Sequence, residues 1–124
     1  MALNRKQLQS RLSTVTSELL EEKGYISFVD VFMKLGYLDP KDHENWRMKQ
    51  VPCLERVIKI NLAKINFIMK TVRRDSLYGE LNPSWTGYKS WGKGIKIALR
   101  FSKTGEPNIE RAYATHFVKK SSVA

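Results

Sequence analysis

Cysteine is almost absent from this chain of 124 residues. Cys53 stands alone, so no intrachain disulfide can form and nothing points to an oxidising compartment. A small buried side chain is the ordinary role of such a residue. No apolar run approaches the ~18 residues of a membrane span, and Met1-Ala2-Leu3-Asn4-Arg5-Lys6 leads into a mixed polar segment rather than an apolar signal. With both signals missing, the expectation is a cytoplasmic protein with no membrane partner. Internal repeats, low-complexity tracts and Pro/Gly-rich linkers are missing too. This predicts one domain over residues 1–118 with a flexible tail at 119–124.

Catalytic and metal signatures are equally scarce. There is no P-loop, nucleophile elbow or dinucleotide fingerprint, and no cofactor is implied. His43, His116 and Cys53 share no ligand spacing, so no metal site is expected. Asp39, Asp42 and Glu44 near His43 read more simply as favourable charges at a helix N-terminus. The best enzymatic grouping sets Arg100, Ser102 and Lys103 beside Glu110, Arg111, Tyr113 and His116, with phosphate-ester hydrolysis as its natural reaction. Glu110 and His116 are six residues apart, however, and on one straight helix they diverge in angle.

The shortage that carries most information is of acidic residues. Lys and Arg total 22 against 12 carboxylates, a formal net charge of +10. Residues 1–50 hold eight basic and seven acidic side chains; residues 51–124 hold fourteen and five. No acidic residue occurs between Leu81 and Gly105. Solubility needs no such asymmetry, whereas a polyanion-binding face produces it.

What is present reads as helices first and a hairpin later. Leu8, Leu12, Val15 and Leu19 form an apolar stripe on a helix from about Asn4 to Glu22, closed by Gly24. The stripe also offers a face for pairing with a second copy. Ser27 caps a short helix near Phe28–Leu35, and Asp39-Pro40 opens another that carries Trp46. The longest expected helix runs from about Pro52 to Arg74. Leu54, Ile58, Leu62, Ile65, Met69 and Val72 share one face of it, and Arg56, Lys59, Ala63, Phe67, Lys70 and Arg74 the opposite face. Further on, Trp85–Trp91 reads as a strand, and Ile95, Ile97, Leu99 and Phe101 alternate with Lys96, Ala98, Arg100 and Ser102 as a second strand. Gly92-Lys93-Gly94 supplies the turn between them. A last helix is expected from Pro107 to Val118. The fold class is therefore α+β: an N-terminal bundle of about four helices, a basic hairpin and a C-terminal helix, an order that looks winged-helix-like.

Cations spaced along one exposed face bind phosphates by releasing condensed counterions. Arg56, Lys59, Lys70 and Arg74 would do so from the long helix, with Phe67 among them either stacking on a ligand or joining the core. Lys89, Lys93, Lys96, Arg100 and Lys103 add five positive charges within fifteen residues of the hairpin. Like charges on neighbouring strands repel, and a polyanionic partner relieves that repulsion. Trp85, Tyr88 and Trp91 raise base stacking as an alternative to phosphate contact alone. A tryptophan has much area to hide, so burial of both indoles is the expectation, and duplex DNA stands slightly ahead of single strands. The reading is a non-enzymatic domain whose partner is nucleic acid, DNA or RNA. The rival is an interaction or regulatory module for an acidic protein.

Overall fold

The computed structural model describes residues 4–120. Helix α1 (Arg5–Lys23) starts at a reciprocal cap. The Asn4 side chain accepts from the Gln7 N–H at 2.8 Å, and Gln7 Oε1 accepts from the Asn4 N–H at 3.1 Å. It stops at Gly24, whose φ of 78° is a left-handed conformation natural to glycine. Leu8, Leu12, Val15 and Leu19 are buried, so the stripe is occupied by the chain's own core. Strand β1 (Tyr25–Ile26) leads to Ser27, whose hydroxyl accepts from the Asp30 N–H and caps α2 (Phe28–Lys34). Helix α3 (Pro40–Arg47) carries proline in its first turn and buries Trp46 completely.

The expected helix over Pro52–Arg74 does not form as one piece. Residues Leu54–Arg56 make a 3₁₀ turn, and helix α4 begins only at Leu62 and runs to Tyr78. The intervening backbone is bonded elsewhere: Leu54 and Glu55 N–H groups donate to the Arg100 and Phe101 carbonyls, and the Lys59 N–H to that of Tyr37. Asn61 then caps α4, accepting from the Lys64 N–H at 2.8 Å. The buried face of α4 is Ile65, Ile68, Thr71, Val72 and Ser76, while Leu62 is exposed.

Strand β2 (Asn82–Trp85) pairs antiparallel with β3 (Thr115–Val118), which also pairs antiparallel with β1. The sheet order is β1-β3-β2. Helix α5 (Pro107–Ala114) is thus four residues shorter than the sequence predicts, its end converted into the central strand. Alternation explains the switch: Phe117 is buried on the core side and His116 points the other way. The result is a mixed α+β fold of five helices and a small three-stranded antiparallel sheet among the described residues. No described helix is long and apolar enough to cross a membrane. The expected tail at 119–124 lies mostly outside the described residues; the Lys119 N–H donates to the Gly24 carbonyl.

Candidate nucleic-acid interface

The hairpin is anchored by aromatic rings at its root. Trp46, Tyr88, Phe101 and Tyr113 form a chain of ring contacts, with centroids 5.2 Å apart for Trp46–Phe101 and Tyr88–Phe101 and 5.3 Å for Phe101–Tyr113. Strand pairing is brief. Lys89 bridges Ala98, the Ser90 N–H donates to the Ile97 carbonyl, and the Leu99 N–H donates to the Tyr88 carbonyl. The two long expected strands therefore shrink to residues 88–90 against 97–99. Toward the tip the alternation no longer buries anything: Ile95 is 89% exposed.

Helix α3 clamps this arm. Trp46 Nε1 donates to the Arg100 carbonyl at 2.8 Å, Arg47 Nη1 to the Lys89 carbonyl at 3.0 Å, and the Trp91 N–H to the Arg47 carbonyl at 2.8 Å. At the other end Glu110 secures the root. Its carboxylate accepts from the Phe101 N–H, the Ser102 N–H and the Ser102 hydroxyl at 2.8, 2.6 and 2.6 Å. Glu110 is thereby engaged in holding the root through Phe101 and Ser102. Of the enzymatic grouping, Ser102, Arg111 and Tyr113 line one groove, His116 lines a separate cleft, and Arg100 folds its guanidinium onto the Ser102 and Lys103 carbonyls.

The ten cation and aromatic positions singled out in the sequence fall into separate places. Lys89, Lys93 and Lys96 are exposed on the hairpin, with the Lys96 ammonium donating to the Gly92 carbonyl. Arg100 and Lys103 are exposed at its root, and Arg56 is exposed on the 3₁₀ turn bonded to that root. The other four do not join them. Lys59 is paired with Asp39, and Arg74 with its neighbour Asp75. Phe67 is half-buried beneath the Arg5 guanidinium, 5.1 Å from its ring centroid. Lys70 faces a groove between α4 and α5. The continuous basic stripe of the expected long helix is absent because residues 57–61 interrupt the helix that would have aligned it.

Sequence reasoning missed the cleft at the hairpin's root, about 380 Å³ in volume. The chain has two histidines, and both line it. Tyr25 stacks flat on His116, with centroids 5.2 Å apart, and the Tyr88 hydroxyl and His116 Nε2 share a hydrogen bond of 2.9 Å. Lys23 and Asp30 form an ion pair at 3.0 Å on the cleft wall, and the Ser27 hydroxyl donates to the same carboxylate. The Arg47 guanidinium lies over the rings of Tyr88 and Trp91, 4.5 and 5.0 Å from their centroids. Burial holds both imidazoles below the ordinary histidine value, and the Arg47 charge adds to the effect at His43. Burial also pushes the Tyr88 phenol up to about 12. At neutral pH the cleft thus presents neutral hydrogen-bonding rings between fixed charges. No linear spacing could reveal this, since His43 and His116 come from a helix and a strand 73 positions apart.

Trp85 and Trp91 both border the cleft, and neither is in the core. Trp91 meets His43 edge-on at 5.5 Å and is 46% exposed; Trp85 is 63% exposed. A Cβ built on Gly87, which lines the cleft, would come within 2.9 Å of Trp85 Cη2, so this indole rests on the Gly87 backbone. The arrangement offers apolar ring surface, buried polar edges and a run of exposed ammonium groups in one neighbourhood. Comparison with protein-family models, with curated proteins and with solved structures finds no match to this chain.

Proposed function

We propose that this protein is a non-enzymatic nucleic-acid-binding domain that holds a single strand across its lysine-bearing hairpin and the cleft at the hairpin's root. The observation that carries the reading is the exposure of Trp85 and Trp91 beside Lys89, Lys93 and Lys96. Buried indoles were the reason to favour duplex; exposed ones remove it. Sequence-tolerant single-strand binders combine aromatic platforms with a cationic track. The phosphates follow the lysines while bases stack on the indoles, and the polar edges of His43, His116 and Asp30 offer partners for a base in the cleft.

Docking on a duplex in the manner of a winged helix is the second reading, with the hairpin as wing and α4 as the helix beside it. It is favoured by Lys70, Arg73 and Arg74, all exposed on α4.

Fluorescence anisotropy with labelled single-stranded DNA, RNA and duplex DNA over a range of salt concentrations separates the two. Single strands should bind tightest, with log affinity falling by roughly 0.7 per neutralised phosphate per decade of salt. Replacing Lys89, Lys93 and Lys96 with Glu should abolish binding. Trp91→Ala and Trp85→Ala should each weaken it by roughly 5- to 150-fold, the range expected when one stacked base is lost. Preference for duplex that survives both tryptophan changes would transfer the assignment to the second reading. No binding to any of the three at low salt would overturn both.

A further inference from the structure

A larger concavity, about 690 Å³, lies between α4 and α5 and shares no lining residue with the histidine cleft. On α4, Leu62, Asn66, Met69, Arg73 and Leu77 recur at spacings of three and four, so one helix face forms a wall roughly 25 Å long at 1.5 Å per residue. The floor is carbon, contributed by Met69, Ile109, Phe28 and Phe117. Leu62 and Leu77 are left 58% and 44% exposed near the two ends of the helix. Apolar side chains joined by a continuous groove in this way mark an interaction site, where singly scattered ones would not.

The exposed charge around this groove is of one sign. Lys70, Arg73 and Arg111 line it, all exposed, and none pairs with a carboxylate among the described residues. One carboxylate enters the groove, that of Glu55, and it is already engaged: it accepts from the Tyr113 hydroxyl at 2.6 Å and the Lys103 N–H at 2.7 Å. An occupant must therefore bring apolar side chains for the floor and negative charge for the rim.

We propose that this groove docks an acidic amphipathic helix from a partner protein. A helix supplies apolar anchors at i, i+3/i+4 and i+7 that match a long helical wall, and its flanking carboxylates meet the three cations. A second copy of this chain fits poorly. Its own amphipathic α1 has its apolar stripe in the core, and two surfaces of a +10 chain repel. Nucleic acid fits poorly as well, because the floor gives an apolar bed and not an exposed ring on which to stack. The inference does not depend on the hairpin's role.

The test is a titration of isotope-labelled full-length protein, followed by amide chemical shifts. The probe is a synthetic 16-residue helical peptide with Leu at i, i+3, i+7 and i+10 and Glu on both flanks; the control has Lys for Glu. Shifts confined to α4 and α5, a loss of affinity of at least roughly ten-fold in R73E/R111E, and no loss in K93E/K96E would sustain the proposal. Both variants change exposed side chains, and their spectra report directly on folding. Equal binding of the Lys peptide, or shifts on the hairpin, would overturn it, as would no groove shifts at millimolar peptide. Concentration-dependent dimerisation that shifts groove residues in the absence of peptide would overturn it too, in favour of a second copy. So would displacement of the same groove signals by a single-stranded oligonucleotide without peptide binding.

Discussion

The Arg47 guanidinium lies 4.5 Å above the Tyr88 ring while its Nη1 donates to the carbonyl of Lys89, the next residue along. One side chain on α3 thus grips the hairpin by a ring face and by its backbone together. Burial pulls the Arg47 pKa down, yet an arginine stays cationic at any pH the fold survives.

Arg47→Ala should cost about 2 kcal/mol, combining a partly desolvated cation–π contact with a charge-assisted hydrogen bond. Urea unfolding gives the total. Hydrogen exchange at the Ser90 and Leu99 amides should lose protection more than exchange in α1, because those two bonds close the hairpin. Equal loss in both places would mean that Arg47 supports the core and not the arm.

Glu110→Gln keeps the shape of the side chain but replaces one accepting oxygen with a donor facing donors. The three groups now bonded to the carboxylate include two backbone N–H groups at half-buried depth. A cost of about 2 kcal/mol is expected in thermal or urea unfolding. In the proposed mode Glu110 touches no ligand, so Glu110→Gln should bind single strands normally at temperatures where it is folded.

The two histidines set a direction for pH. Their folded values lie below the unfolded value of about 6.5. The unfolded chain therefore takes up protons first as pH falls. The stability that these rings contribute is complete above about pH 6.5 and is lost as pH drops through their folded values. Thermal unfolding between pH 7 and about pH 5 should show a falling midpoint, and a His43→Gln/His116→Gln protein should show a shallower fall over the same window. A midpoint that rises on acidification would refute the assignment of both rings as neutral.

Asn61→Ala tests the cap that starts α4 at Leu62. Losing the bond from the Lys64 N–H should destabilise the protein by about 1 kcal/mol, measured by urea unfolding. A helix beginning at Pro52 would place Asn61 in an interior turn, where the same change would be neutral or stabilising.

Much of the helical part could be read directly. The stripe of α1, its stop at Gly24, the cap at Ser27 and the start at Asp39-Pro40 are all local signals, and the structure keeps them. Two segments expected to be helical misled because their periodicity was genuine but their partners were distant. Leu54, Ile58 and Ile65 are all buried as the helical spacing predicts, yet residues 54–59 reach the core as a turn bonded to Arg100, Phe101 and Tyr37. Thr115–Val118 continues the apolar pattern of α5, but two edge strands more than 25 residues away claim its backbone. The lysines of the hairpin were legible as charge. The exposure of Trp85 and Trp91 was not, since a single tryptophan is as good a core residue as a platform until its neighbours are known.

Strand β3 lies between two segments that precede it by at least 30 positions, and this sets an order of events during synthesis. Helices α1 to α4 are local and can form as they emerge from the ribosome. The sheet cannot close until Thr115–Val118 has followed, and His116, one wall of the cleft, arrives with the same strand. A nascent chain would carry its lysine arm into solution well before it had a cleft to pair with it. Affinity for nucleic acid in the proposed mode would thus be withheld from unfinished chains, confining it to molecules that have completed their fold.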